Sequence, residues 1–333
     1  MTVRFGLGSP VFPVEEALQA ARFADAAGFD GLWIPEYLVR RADRGRALDP
    51  LVLLGAAARE TQRVQLGTYV LGIHRRHPSL LALMAASLDH LCGGRLILGL
   101  GTGAAEMDRA LGIAHDRGVA RLGEYIEVLR RLWQGEQVQY AGEHYQLRGA
   151  TLSIQPLQQP LPIWLAAQGP VAMQVAGALA DGWISNWLYT PEGFGRALNT
   201  VRARARAAGR SPEALVGVFE AAVSVAGTRA EAEAHGVPAV KAKLLKIGGL
   251  YEYGYRQLQA LGYDGPRPEA LEQIPDETAR ACSILGTPPE VIERIEAYIK
   301  QGVDYLICTF MNPGGAELFA RVVLPHFRAS PGR

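Results

Sequence analysis

The feature of this sequence that most constrains its fold is a strand–helix alternation that runs through the whole chain. Short apolar or β-branched runs, such as 3–8 and 31–34, are followed by stretches with apolar residues at helical spacing. One junction recurs, at 27–30 and again at 301–304: a helix ends, and then a glycine, an apolar residue and Asp lead into the next strand. Junctions of this kind are typical of repeated βα units, so the pattern predicts a parallel sheet covered by helices.

The alternation predicts eight strands, at 3–8, 31–34, 64–71, 95–100, 162–167, 182–185, 216–226 and 305–310. Between them, Asp49 and Pro50 have the residue types of an N-cap and first helical position. Residues 137–147 resemble a polar hairpin outside the repeat, and 229–280 a helical insertion before the last strand. Eight strands favour closure, so we predict a (β/α)₈ TIM barrel that forms a single domain over 1–333.

Composition excludes several classes of protein. There are 34 Lys and Arg residues against 33 Asp and Glu, a formal net charge of +1, so we expect no nucleic-acid or membrane-surface partner. No apolar run reaches the ~20 residues that a membrane span needs. Cys92, Cys282 and Cys308 are too far apart for a disulfide framework or a metal cluster. We therefore expect a reduced, cytoplasmic protein whose cysteines are buried as small apolar residues.

In a barrel of this type, the segments just after each strand form the reactive face. Glu36 and Tyr37 follow strand two, where an acid and a phenol are placed to meet a ligand. A carboxylate paired with a nearby arginine is the open alternative. His74 and His77 follow strand three, and no third ligand stands at zinc spacing, so we predict no metal site. His77, directly before Pro78, is predicted to be a helix-entry residue.

Glycine-rich segments follow strands four and five. The loop at 99–106 resembles a Rossmann or methyltransferase glycine loop, but those folds place it after their first strand, whereas three βα units precede it here. Ala167, Gln168, Gly169 and Pro170 open a helix whose free N–H groups would suit a phosphate; an ordinary helix start is the open alternative. Asn186 follows strand six as part of a polar and aromatic wall.

Several segments together resemble the luciferase-like monooxygenase superfamily. They are a strand leading to Arg-His-Pro at 63–78, a Leu-Asp-x-Leu-x-Gly-Gly-Arg block with Cys92 in the serine place, the glycine loop, and Gly-Thr-Pro at 286–288. The segment around Gly169 is most similar to the branch that uses the deazaflavin coenzyme F420, which includes methylenetetrahydromethanopterin reductases and glucose-6-phosphate dehydrogenases. The resemblance spans nearly the whole chain.

This resemblance implies a hydride-transfer oxidoreductase that acts on a small organic substrate. It implies a non-prolyl cis peptide at Tyr69–Val70 beside the ring. Thr102, Gly103 and Ala104 would border the ring or ribityl chain, and 167–170 would hold the phosphate. Glu36 and Tyr37 would face the cofactor, with Glu36 hydrogen-bonded to the ring edge or a bound water, and Asn186 would complete the site. We also expect a homodimer or a higher homo-oligomer.

The sequence departs from the branch at positions that determine its chemistry. Glu36-Tyr37 stands where Asp-His is common, Ala104 replaces the glutamate acid of the glucose-6-phosphate dehydrogenases, and their tryptophan is missing. A substrate other than a sugar phosphate is therefore expected. The alternatives are an FMN-dependent monooxygenase on the same barrel, a non-catalytic carrier of the cofactor, and a glycine-loop methyltransferase.

Overall fold

The computed structural model describes residues 3–38, 45–250 and 252–329. Its strands are β1 (Arg4–Gly8), β2 (Gly31–Ile34), β3 (Gln65–Thr68), β4 (Leu71–Gly72), β5 (Leu96–Gly101), β6 (Val138–Ala141), β7 (Gln146–Ala150), β8 (Ile163–Ala166), β9 (Gly182–Ser185), β10 (Val216–Val225), β11 (Ile284–Gly286) and β12 (Tyr305–Phe310). Within these ranges, eight of the strands pair in parallel in the order β1, β2, β3, β5, β8, β9, β10, β12, and β12 returns to β1. The predicted closed barrel is confirmed.

Helices connect consecutive barrel strands on the outside. They are α1 (Val14–Ala26), α2 (Pro50–Glu60), α3 (Pro78–Leu91), α4 (Ala105–Ala110), α5 (Gly118–Trp133), α6 (Pro170–Leu179), α7 (Pro191–Ala207), α8 (Arg229–Leu250), α9 (Glu252–Ala260), α10 (Asp276–Ala281), α11 (Pro288–Lys300), α12 (Gly315–Leu318) and α13 (Leu324–Ala329). A 3₁₀ turn precedes β10 at Pro212–Ala214, another lies at Leu271–Gln273, and a π-helical segment at Phe319–Val323 joins the last two helices.

Local signals in the sequence explain where helices begin. The Asp49 carboxylate accepts hydrogen bonds from the Leu51 and Val52 N–H groups, at 2.9 and 3.3 Å, as the predicted N-cap of α2. His77 is the N-cap of α3, with its Nδ1 accepting from the Ser79 N–H at 3.2 Å. The predicted helix-entry role of His77 is therefore confirmed.

Three local features differ from the sequence prediction. The third strand is split into β3 and β4 by Tyr69 and Val70, whereas one strand over 64–71 was expected. The short helix α4 follows the glycine loop, and the short strand β11 pairs with β10 before the last helical unit. The hairpin of β6 and β7 and the helical insertion at 229–280 agree with the prediction.

A large apolar layer surrounds the barrel. It packs the outward faces of the strands against the helices, and it includes Phe5, Leu98, Phe219 and Cys308. All three cysteines are free and buried, as expected of small apolar residues. In the part of the chain that the structure describes, no helix is both long enough and apolar enough to cross a membrane.

Candidate functional site at the carboxyl ends of the strands

The lumen of the barrel is filled below its rim. Trp33 and Trp164 stack with their ring centroids 4.9 Å apart, and the Trp33 indole N–H donates to the Tyr305 hydroxyl at 3.0 Å. Ile97, Ile184, Val218 and Ile307 complete this plug. Glycines make room for it: a Cβ at Gly67 would collide with the Trp33 ring. Because the plug closes the interior, space for a ligand lies above it, at the carboxyl ends of the strands.

A backbone bulge separates β3 from β4 at this rim. The Tyr69–Val70 peptide is cis, as the family resemblance predicted. The Val70 side chain lies over β5, so that a Cβ added at Gly101 would be only 2.9 Å from Val70 Cγ2. Tyr69, Val70 and Ala166 pack on the plug from above. The bulge and the glycine-rich strand β5 therefore form one adjoining surface.

The loop after β5 carries Thr102, Gly103 and Ala104. Gly103 has φ +81°, a left-handed conformation that favours glycine, and a Cβ there would lie 3.3 Å from Arg75 Nη2. Ala104 is the N-cap of the six-residue helix α4 and supplies no capping side chain. The structure thus brings these three residues together beside the loop that follows β4.

The segment after β8 presents the beginning of a longer helix. Gly169 is the N-cap of α6, no described side chain caps it, and a Cβ there would meet no atom within 4 Å. The Ala167 carbonyl accepts from the Trp183 indole at 2.7 Å, and Gln168 donates to the Ile184 carbonyl at 3.2 Å. These bonds fix the segment beside the open space at Gly169, and the first N–H groups of a helix lack intrahelical partners, which suits an anionic group.

Glu36, which was predicted to bind the ring edge or a water, has several protein partners. Its side chain is fully buried, accepts from the Gly72 N–H at 2.9 Å, and forms ion pairs with Arg75 and Arg76. Arg76 also pairs with Asp49. Both carboxylate oxygens are engaged by arginines, so the alternative of a paired carboxylate describes Glu36, although the partners are buried rather than on the surface. Its contact with the cofactor stays a prediction.

The same charge network continues beneath Gly103. Arg75 Nε donates to the buried Asp108 carboxylate at 2.6 Å, and the other Asp108 oxygen contacts His115 Nδ1 at 2.6 Å. Arg75 Nη2 is buried and has no hydrogen-bond partner among the described residues. The neighbouring His74 ring has its pKa lowered, first by burial and then by the nearby His115. The network holds the loops after β4 and β5 against each other.

Asn186 and Tyr37 are the other two predicted site residues. Asn186 donates to the Gln257 side chain at 2.9 Å and accepts from the Leu188 N–H at 3.1 Å, which joins the rim to the helical insertion. Tyr37 lines a separate cavity of about 310 Å³ with Phe12, Leu38 and Leu48. The predicted roles of Asn186 and Tyr37 at the cofactor stay predictions.

Sequence reasoning missed Arg75, Asp108 and Glu220. Arg75 belongs to the Arg-His-Pro segment that carried the resemblance, and Asp108 is five residues past Gly103, but their pairing depends on the fold. Glu220 had a visible signal, because it is a charged residue inside the apolar run 216–226. In the structure it is half-buried in β10.

Comparison with known proteins agrees with this geometry. The family model for luciferase-like monooxygenases matches residues 2–305. The chain belongs to the luciferase-like monooxygenase family. It is 32% identical to the F420-dependent glucose-6-phosphate dehydrogenase of Nakamurella multipartita, over 99% of this chain and 98% of that one. It is also 30% identical to the 5,10-methylenetetrahydromethanopterin reductase of Archaeoglobus fulgidus, over 86% of each.

A solved luciferase-like fold superposes over nearly all of the barrel. The coenzyme F420-dependent tetrahydromethanopterin reductase of Methanopyrus kandleri has a TM-score of 0.82, with 22% identity and coverage of 98% of this chain and 100% of that one. At that identity, the similarity shows the fold alone. The predicted family and the predicted TIM barrel are confirmed, and the named relatives are oxidoreductases, as the sequence prediction has it.

Proposed function

We propose that this protein is an oxidoreductase that transfers a hydride between the deazaflavin coenzyme F420 and a small organic substrate. The observation that carries the proposal is the adjoining surface formed by the Val70 bulge, Gly101 and the Gly103 loop, with the uncapped start of α6 at the same rim. Glycines leave backbone accessible to a flat ring system, and the helix start supplies N–H donors for a phosphate. F420-dependent glucose-6-phosphate dehydrogenases at 31–32% identity support this cofactor.

The residues present fit such a group. Tyr69 and Val70 would contact the ring, Thr102 to Ala104 would border the ring or its side chain, and 167–170 would hold the phosphate. Gly169 has no atom within 4 Å of an added Cβ, so its surroundings leave room there. When bound, the cofactor would supply or accept a hydride. The chain's part is to hold the ring in place, exclude water and handle the proton.

The substrate class follows from what the rim lacks. Ala104 stands where the resembling glucose-6-phosphate dehydrogenases have an acid, and the Glu36 carboxylate is engaged by Arg75 and Arg76. Neither position supplies the proton donor of a sugar-phosphate dehydrogenase. A sugar phosphate is therefore not the substrate that we propose. Because a reduced deazaflavin donates a hydride, we propose an electrophile, such as a carbonyl compound or an activated alkene.

Cofactor binding tests the proposal directly. Isothermal titration with F420, and separately with FMN, should give a dissociation constant for F420 at least ~100-fold below that for FMN, a difference of ~2.7 kcal/mol. Gly169→Asp should weaken binding at least ~10-fold, because a carboxylate at the helix start repels a phosphate. Gly123→Asp, which makes the same charge change within α5, should bind normally.

The outcomes separate the alternatives. Reduced F420 mixed without oxygen with aldehydes, ketones and enones should be oxidised in a protein-dependent step. Tighter binding of FMN with oxygen consumption would favour the monooxygenase alternative. Tight binding of F420 without turnover would favour a carrier. If neither cofactor bound, the proposal would be wrong, and S-adenosylmethionine would be the next ligand to titrate.

We further propose that the chain acts as a single domain over 1–333 and assembles as a homodimer in the cytoplasm. Helix α3 exposes a stripe of apolar side chains at helical spacing: Leu80, Leu83, Met84 and Leu91, of which Leu80 is 61% exposed. On the adjacent helix α2, Val52 is 69% exposed. Exposed apolar side chains on neighbouring helices support pairing with a second copy of the chain.

A further inference from the structure

Glu220 is a carboxylate on the lumen face of the barrel. Side chains alternate along β10: Val218 belongs to the lumen plug, whereas Phe219 and Ala221 pack in the outer core. The side chain of Glu220 therefore points inward, one step above Val218 and toward the open rim. It is half-buried, and Ile307 is its register partner on β12. A carboxylate on the lumen face near the carboxyl ends of the strands is placed to meet a ligand bound there.

Two hydroxyl groups approach the same side of the lumen. Thr309 follows Ile307 by two residues in β12 and so shares its inward face, and Thr309 Oγ1 is buried without a hydrogen-bond partner among the described residues. A Cβ added at Gly8 would lie 2.9 Å from Thr309 Oγ1 and 3.0 Å from the Tyr69 hydroxyl. The absence of a side chain at Gly8 thus lets a residue of the bulge and a residue of β12 come within reach of one bridging water.

We propose that Glu220 is the acid–base group of the reaction and that the Thr309 and Tyr69 hydroxyls connect it to the bulge; this inference rests on the proposed function. In a carbonyl reduction, the carbonyl carbon receives a hydride with its electron pair from the reduced deazaflavin, and the C–O π bond breaks. The oxygen takes a proton from the Glu220 carboxyl group, which leaves a carboxylate that water reprotonates. The engagement of Glu36 by arginines removes it from this role.

Proton exchange on cofactor binding tests the inference without a known substrate. A ring bound over the lumen would remove water from Glu220, which favours its protonated form, so binding of F420 should take up protons at pH values above the ordinary pKa of a glutamate. Isothermal titration in two buffers of different ionisation enthalpy measures this uptake. Glu220→Gln should abolish the uptake, and Glu296→Gln, which removes an exposed carboxylate on α11, should keep it. Ionisation of the cofactor itself is common to all the variants.

Two further variants test the connection to the bulge. Thr309→Val and Tyr69→Phe should bind F420 and shift the pH at which proton uptake is half complete. With any carbonyl compound that the wild type reduces, Glu220→Gln should lower kcat by ~10²-fold or more, and Glu296→Gln should not. Equal proton uptake by the wild type and Glu220→Gln would overturn the inference alone. Failure of every variant to bind F420 would overturn the proposed function as well.

Discussion

At the scale of single residues, the charge network around Glu36 predicts a large effect on stability. Glu36→Gln keeps the shape of the side chain but leaves Arg75 and Arg76 buried with one counter-charge fewer. Breaking a buried ion pair from one side costs ~3–5 kcal/mol, and we expect that loss in the free energy of unfolding without any ligand. Urea denaturation measures it. Asp116→Asn, which breaks the exposed pair with Arg121, should cost less than ~1 kcal/mol. Unchanged stability of Glu36→Gln with impaired turnover would instead restore the catalytic role expected from the sequence.

Sequence could place Glu36 at the rim but could not choose its partner. Arg75 and Arg76 lie 39 and 40 residues further along, and they reach it because β2 and β3 are neighbours in the sheet. Sequence spacing predicts which residues lie at the ends of the strands. It does not predict which arginine forms an ion pair with a given carboxylate. The positions of Thr102, Gly103 and Gly169 needed only the glycine pattern and the strand order.

At the scale of elements, the contact between β5 and the bulge predicts that one substitution in β5 weakens cofactor binding, whereas another lowers the stability of the fold. Gly101→Ala should weaken F420 binding ~10-fold, a loss of ~1.4 kcal/mol, because Val70 must move from its position over β5. The protein should remain folded, since the obstructing atom belongs to a side chain. Gly99→Ala should destabilise the fold, because its Cβ would collide with the Thr68 carbonyl. Titration with F420 and thermal melting measure the two effects.

A matched substitution on the outside of the barrel serves as the control. Gly123→Ala on α5 meets no atom within 4 Å, so it should raise stability by ~0.5–1 kcal/mol and leave binding unchanged. Binding by Gly101→Ala that equals that of Gly123→Ala would contradict a cofactor site at this surface.

The elements with strict periodicity were predicted well, and the errors have physical causes. In α5, apolar residues recur at helical spacing, and all of them are buried: Leu122, Tyr125, Ile126, Leu129, Leu132 and Trp133. Helix α3 is apolar on most sides, so its pattern did not show which face packs inward: the alanines Ala82, Ala85 and Ala86 are buried, and Leu80, Leu83 and Met84 are exposed. The bulge in the third strand was invisible to periodicity, because its residues are as apolar as those of a strand.

At the scale of the whole molecule, the exposed stripe on α3 predicts the oligomeric state. Sedimentation equilibrium at micromolar concentration should show a dimer. Met84→Glu should yield monomers, because it puts a charge into the apolar contact. Leu157→Glu changes a side chain that is 53% exposed outside α2 and α3, and it should remain dimeric. A wild-type protein that sediments as a monomer would contradict the proposal.

The closed barrel itself was predictable from the number of strands and their recurring junctions. The sequence did not predict which residues pack over the rim of the barrel, because the insertion at 229–280 has no repeating pattern. In the structure its residues form a separate apolar cluster with Trp187, Leu188 and Ala222. Such contacts depend on side chains that meet only after the barrel has closed.

The stacked tryptophans in the lumen have a kinetic consequence. Since Trp33 and Trp164 stack inside the described part of the barrel, the cofactor and substrate that we propose at the carboxyl ends of the strands would both enter from that side. The ligand that binds deeper has to bind first and dissociate last. Steady-state kinetics should therefore show a compulsory order of ligand binding rather than a random one. Product inhibition would then be competitive for one pair of ligands alone, and the identity of that pair would reveal which ligand occupies the depth of the barrel.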